Sequence, residues 1–225
     1  MNTTRVHQLL TFVADTLPTA HPTLGYQPEE IEAALLEAAF SARALYGSPT
    51  TGVRAVLERW RGHRGTAHID NLDHLAMFAE DPEHLVAVLG NRQRVPGNHC
   101  TKAEAVALAA RSLSVDGCSR ASDLTDADPD RIDAFRATFV AVPGFGRRTW
   151  ENVTIRLGLV TDDASTAIDE FLGQIPGFDD RGESPEALVA EAARHLRITP
   201  QLLTYGMWKF QRESQRKRAR AARVA

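Results

Sequence analysis

Four times along this chain a side chain able to cap a helix stands directly before a proline, at Asp81-Pro82, Asp128-Pro129, Ser184-Pro185 and Thr199-Pro200. Each pair sets a hydrogen-bond acceptor where a helix begins and a proline where the first turn has no use for an N–H. Thr101 and Glu104 add the spacing of a reciprocal capping box ahead of AVALAARSL. Between these starts a one-face pattern recurs at three- and four-residue intervals, as in Ile31, Leu35, Ala38, Ala42 and Leu45, or Ile132, Phe135, Thr138, Phe139 and Val142. Sustained period-two alternation between hairpin turns is absent, so the chain is expected to be all-α, with about ten helices joined by short connections. No repeat or low-complexity linker is read. The terminal QRKRARAARVA either extends a helix or frays.

Composition sets the outer bounds. With 225 residues and 43% hydrophobic content the chain buries a core as one domain, with room for two lobes. No run approaches the ~18 to 20 apolar residues that span a bilayer, and no leader pattern opens the chain, so the expected setting is the cytoplasm. Cys100 and Cys118 are too few for a disulfide scaffold or an all-cysteine cluster and read as reduced core thiols, unless their Cα atoms come close enough to pair. His63, His68, His74, His84, His99 and His195 lack metal-ligand spacing, so neither metal nor cofactor is expected. Trp60, Trp150 and Trp208 read as core residues. The net charge of −3 argues against wholesale nucleic-acid binding, yet basic residues cluster at Arg54, Arg59, Arg61 and Arg64, at Arg92 and Arg94, at Arg147 and Arg148, and along WKFQRESQRKRARAARVA.

The stretch VPGFGRRTW, residues 142–150, concentrates these themes. A helix closing near Val142, a Pro-Gly-x-Gly turn and a new helix from Arg147 make a helix-hairpin-helix. Glycine supplies positive φ and close approach, and the bare N-terminus of the second helix points its N–H groups outward beside two arginines. Such a surface suits a phosphate diester. A plain glycine turn with solvated arginines is the competing reading.

FVAVPGFGRRTWENVTIRLGL resembles the hairpin of the helix-hairpin-helix base-excision DNA glycosylases, the endonuclease III superfamily. IEAALLEAAFSARALYGSPTTGVRAVLERW is similar to that family's early helix pair, and HCTKAEAVALAARSL to its Asn/Ser-Lys-Ala helix start; order and spacing agree over about residues 30–172. The resemblance implies a two-lobed fold, with an inner lobe over about 46–157 that contains the hairpin at 132–157. The second lobe would combine 1–45 with 158–212, and 213–225 would form a basic tail. It implies a monomer on double-stranded DNA, cytoplasmic and nucleoid-associated, with the target base flipped out of the duplex. Gly144, Phe145, Gly146, Arg147, Arg148 and Thr149 would hold backbone phosphate. Arg92, Gln93 and Arg94 would supply the wedge or a further backbone contact, unless NRQR is a solvated loop.

The catalytic pattern departs from that family. Where bifunctional members carry a nucleophilic lysine the chain has Arg148, which stays protonated and forms no imine, so lyase activity is not expected. Where monofunctional members carry an aspartate, alignment through the Leu-Gly pair of RLGLVTDDASTAIDEFLG places Ser165. A carboxylate is needed there because positive charge develops on the sugar. Asp163 is the nearest replacement, with Asp162 and Asp169 behind it, although TDDAS also reads as an ordinary acidic helix start. The four clustered cysteines of an iron–sulfur cluster have no counterpart. Three expectations stand side by side: a monofunctional glycosylase, a catalytically inactive relative that recognises distorted DNA, and a helical fold turned to another use.

Overall fold

The computed structural model describes residues 3–17, 28–42, 44, 46–178 and 184–222. Among them every regular element is helical. In chain order these are α1 (Thr3–Thr16), α2 (Ile31–Phe40), α3 (Gly52–Arg64), α4 (Asp73–Ala76), α5 (Pro82–Leu89), α6 (Lys102–Val115), α7 (Ala121–Thr125), α8 (Pro129–Val140), α9 (Arg147–Arg156), α10 (Asp162–Leu172), α11 (Pro185–Leu196) and α12 (Pro200–Ala221). A single 3-10 turn, Met77–Ala79, follows α4. The all-α expectation holds, and the basic end of the chain continues α12 to Ala221.

The caps explain why the helices begin where they do. Asp81 accepts from His84 N at 3.3 Å, Asp128 from Arg131 N at 2.8 Å, Ser184 from Ala187 N at 3.3 Å and Thr199 from Leu202 N at 3.2 Å. Both halves of the Thr101–Glu104 capping box are made, at 3.0 and 3.3 Å. Each such cap is worth about 1 kcal/mol.

Two compact units divide the chain, one of residues 27–159 and one of residues 1–26 with 160–225. Residues 27–45, expected with the termini, belong to the central unit. The reason is α2, all ten of whose residues are buried as it packs on α3, α6 and α9. A helix buried on every face must sit inside a core, and the Ala- and Leu-rich sequence of α2 permits it. It ends at Phe40 with Ser41 as its C-cap, before Ala42; Leu45 lies outside the described residues.

Burying α2 also buries acids, and arginines answer them. The Glu32 carboxylate is fully buried and accepts from Trp60 Nε1 at 2.7 Å, Arg64 Nε at 3.1 Å and Asn71 N at 2.9 Å. Glu30 takes Arg61 and Ile69 N, and Glu37 takes Arg156 of α9. Unpaired, each of these carboxylates would cost several kcal/mol. Asp70 accepts from Ile31 N at 3.2 Å and Ala121 N at 2.8 Å, capping α2 and α7 from a remote loop. Part of the basic cluster in α3 is therefore absorbed by the core.

In the other unit, Val6, Leu9 and Val13 of α1 share a core with Phe171 of α10, Leu188 and Ala192 of α11, and Leu203 and Met207 of α12. The Phe171 ring meets Phe12 at 5.2 Å and Phe210 at 5.7 Å. Glu170 accepts from Gln211 and Gln215, each at 2.7 Å, which ties α12 to α10 as far as residue 215.

Candidate nucleic-acid interface

Helix α8 closes at Val140, and the chain turns through Val142, Pro143, Gly144 and Phe145, with Phe145 N donating to Val142 O at 3.0 Å. Gly144 has φ +84, and a Cβ there would overlap the Val95 side chain. Gly146 is different. Its φ of −154 and ψ of −176 are open to any residue, and a Cβ there would meet nothing within 4 Å. As the N-cap of α9 it brings no side chain, so the N–H groups of Gly146, Arg147 and Arg148 find no acceptor among the described residues.

The body of α9 is anchored inward. Trp150, Val153 and Ile155 are buried, and the Trp150 ring lies 5.3 Å from Phe139. Arg156 pairs with buried Glu37 and donates Nε to Asn152 Oδ1 at 2.9 Å, while Asn152 Nδ2 reaches Ser41 Oγ at 3.1 Å. Phe145 spends its ring in the core, stacked at 5.0 Å on Phe139, and its N–H on Val142 O, so neither is left for the phosphate contact expected of it. Thr149 is half-buried, and Arg147 and Arg148 are exposed.

Val95, which fills the space under Gly144, belongs to the loop that carries Arg92, Gln93 and Arg94. Tertiary structure thus brings two separately expected contact segments side by side. The loop is built on Val95 N to Cys100 O at 3.0 Å and Lys102 N to Gln93 O at 2.8 Å. Arg92 is paired with Glu83 at 2.7 Å. Gln93 is exposed, but its Oε1 accepts from Lys102 Nζ at 2.9 Å. Arg94 is exposed, and its side chain has no partner among the described residues.

The arginines thereby sort themselves. In residues 27–159, every described arginine has a carboxylate or carbonyl acceptor except Arg94, Arg120, Arg147 and Arg148. Three of those four stand at the hairpin and the loop packed against it. Val95 carries no sequence pattern that marks it, and Lys102, though it is the lysine of the Asn/Ser-Lys-Ala-like helix start, is not among the expected site residues. Lys102 has one weaker signal, since a lysine in the first turn opposes the helix dipole and so implies a partner elsewhere.

Asp163 lies in the other unit, exposed in the first turn of α10. Thr161 caps that helix through Ala164 N at 3.4 Å, and Arg212 Nη2 donates to the Asp163 carbonyl at 2.9 Å. Ser165 is half-buried; Asp162 and Asp169 are exposed. Burial pushes the thiols of Cys100 and Cys118 up to about 12, with Glu104 and Asp123 adding to it respectively, and both are free. Among the described residues no group of three or more His, Cys, Asp or Glu forms a metal site, and no helix is long and apolar enough to cross a membrane.

The family model described as "Domain of unknown function (DUF8548)" matches residues 7–212. The chain belongs to this family. No curated protein and no solved structure matches it. The DUF8548 match takes in α8, α9, the 91–101 loop and α10 together, so both the candidate phosphate surface and Asp163 fall within the family's domain.

One four-residue turn pattern occurs twice in the chain. Ile175-Pro176-Gly177-Phe178 follows Val142-Pro143-Gly144-Phe145, with Gly177 at φ +69 and Phe178 N donating to Ile175 O at 3.2 Å. Here Gln8 Nε2 approaches the Pro176 and Gly177 carbonyls at 3.4 and 3.5 Å, and Arg5 lies 4.8 Å over the Phe178 ring. Gln174-Ile-Pro-Gly-Phe continues into Asp179 and Asp180 in the sequence, where the other turn continues into Gly146, Arg147 and Arg148. The two turns share a backbone and differ in charge.

Proposed function

We propose that this DUF8548 protein binds double-stranded DNA through the α8–α9 hairpin and the adjoining 91–95 loop, as a nucleoid-associated cytoplasmic monomer of the base-excision-repair glycosylase type. The observation that carries the reading is the sorting of the arginines. Among the described residues, Arg94, Arg147 and Arg148 remain without acceptors around an N-terminus whose capping residue is a glycine with open space beside it. Phosphate oxygens meet both needs, as acceptors for unpaired N–H groups and as counter-charge for the guanidinium groups.

Within that reading the protein removes a damaged or mismatched base without lyase activity, and Asp163 supplies the negative charge that faces the developing oxocarbenium ion. Ser165 and Arg148 in the family's aspartate and lysine positions favour the second reading, a protein that recognises distorted DNA without cutting the glycosidic bond. A gel-shift titration on a duplex with an abasic-site analogue tests binding first. Arg147→Ala with Arg148→Ala should weaken it at least about tenfold at moderate salt. Unchanged affinity in the folded double variant overturns the DNA reading. A base-release assay across lesions then separates enzyme from binder, and borohydride should trap no covalent adduct.

A further inference from the structure

Lys102 is 2% exposed, yet no carboxylate among the described residues answers its charge. Its ammonium donates to Phe40 O at 3.1 Å, Ala42 O at 2.8 Å and Gln93 Oε1 at 2.9 Å. The Phe40 ring lies 5.6 Å away. Three donors meet three acceptors, two at the C-terminal end of α2, where a cation is favoured, and one on the 91–101 loop. As the first residue of α6 the same lysine sits where a cation is disfavoured. The α6 helix gains nothing electrostatically from it; what the residue supplies is a bridge. Burial lowers its pKa, as expected for a cation held by dipoles alone.

We infer that Lys102 is a positioning residue for nucleic-acid binding: through Gln93 it clamps the loop so that Arg94 stands in fixed register beside Gly144, Arg147 and Arg148. This rests on the DNA-binding reading above. Gln93 is held twice, by its backbone carbonyl on Lys102 N and by its side chain on Lys102 Nζ. Two residues on, Val95 is locked under Gly144. The Arg94 backbone lies between two fixed points and so spends little of its own freedom when the guanidinium meets phosphate, which is what preorganisation contributes to affinity. Gln93 accordingly acts through Arg94, with its carbonyl oxygen turned to Lys102.

The test is a double-mutant cycle on a fluorescein-labelled duplex carrying an abasic-site analogue, read by anisotropy. Lys102→Met risks the fold, so the cycle uses exposed Gln93. Gln93→Leu should weaken binding roughly five- to tenfold in the wild-type background, on the scale of one phosphate contact, and should cost nothing further in Arg94→Ala. Gln93→Glu restores an acceptor for Lys102 and should bind better than Gln93→Leu despite its charge. In the absence of DNA, amide exchange over residues 91–101 should accelerate in Gln93→Leu and not in Gln93→Glu. Equal losses from Gln93→Leu in both backgrounds, or Gln93→Glu binding worse than Gln93→Leu, would make Gln93 a direct contact and overturn the positioning role. Unaltered exchange in Gln93→Leu would overturn the clamp itself. Wild-type protein that fails to bind the duplex removes the DNA reading and this role with it, whatever the exchange shows.

Discussion

Gly144 and Gly146 stand one residue apart and make different demands. Gly144 needs to be glycine twice over, for its φ of +84 and for the Val95 side chain that occupies the place of a Cβ. Gly144→Ala should therefore lower stability by about 1–3 kcal/mol in denaturant unfolding, from left-handed strain and overpacking. Gly146 has neither constraint. Gly146→Asp places a good capping acceptor at the start of α9, so the melting temperature should hold or rise slightly while DNA affinity collapses through the added negative charge. A variant that keeps both fold and affinity would take the hairpin out of the DNA site. At Asp163 the expectation concerns chemistry. Should the protein release bases as proposed, Asp163→Asn would cut that release ~100-fold or more with little change in binding, as when one preorganised electrostatic group is removed. Full activity in that variant would remove Asp163 from the mechanism and leave Asp162 and Asp169 to be tested.

At the scale of elements, the central unit is arranged around α2, whose Ala- and Leu-rich sequence lets it be buried on every face. The burial of α2 forces Glu32 and Glu37 out of water, and each recruits arginine from another helix, Arg64 from α3 and Arg156 from α9. The Glu37–Arg156 pair carries a second role, because it fastens the far end of α9 and so holds the hairpin's second helix to the core. Removing one partner leaves the other charge buried and uncompensated. Arg156→Met should cost about 3–5 kcal/mol, and adding Glu37→Gln should recover part of that loss. Strictly additive destabilisation in the double variant would show that the two charges do not depend on one another. The helix starts behave more simply: each cap satisfies a donor within three residues of itself, which is why they are legible in the sequence.

For the whole molecule, two expectations concern solution conditions. Cys100 and Cys118 are held up to about 12 by burial, so the thiols of the unfolded chain, near 9.0, ionise first. Their contribution to stability is fully present below pH ~9 and is lost as pH rises towards the folded value. Lys102, lowered by burial, contributes a slope of opposite sign. The clean measurement is therefore a difference: denaturant midpoints from about pH 8 to about pH 10.5 should fall more steeply in wild type than in a variant with both cysteines changed to alanine. Equal slopes would contradict thiol linkage. The basic end of α12 is the second case. Gln211 and Gln215 hold Glu170, and Arg212 holds the Asp163 carbonyl, so a cut after Phe210 would remove these structural hydrogen bonds. Truncation after Gln215 removes Arg216, Lys217, Arg218, Arg220 and Arg223, the last of which lies outside the described residues. If the tail meets DNA, truncation should lower the salt slope of binding by about 0.9 for each phosphate that the tail neutralises; an unchanged slope would assign the tail to solvent.

What is decided within a turn of helix can be read directly from the residues. The Asx-Pro and Ser/Thr-Pro starts, the capping box, the break at Pro143-Gly144 and the beginning of α9 at Arg147 all depend on neighbours a few residues away, whose hydrogen bonds form whatever the rest of the chain does. Tertiary structure decided which of the many arginines remain available. That outcome depends on partners as distant as Glu37 and Arg156, 119 residues apart, and Lys102 and Phe40, 62 apart. No local pattern distinguishes Arg64, which neutralises a buried acid, from Arg147, which has no acceptor among the described residues. Only the burial of α2, which makes an unpaired carboxylate too costly to leave, selects the first for the core and leaves the second at the surface.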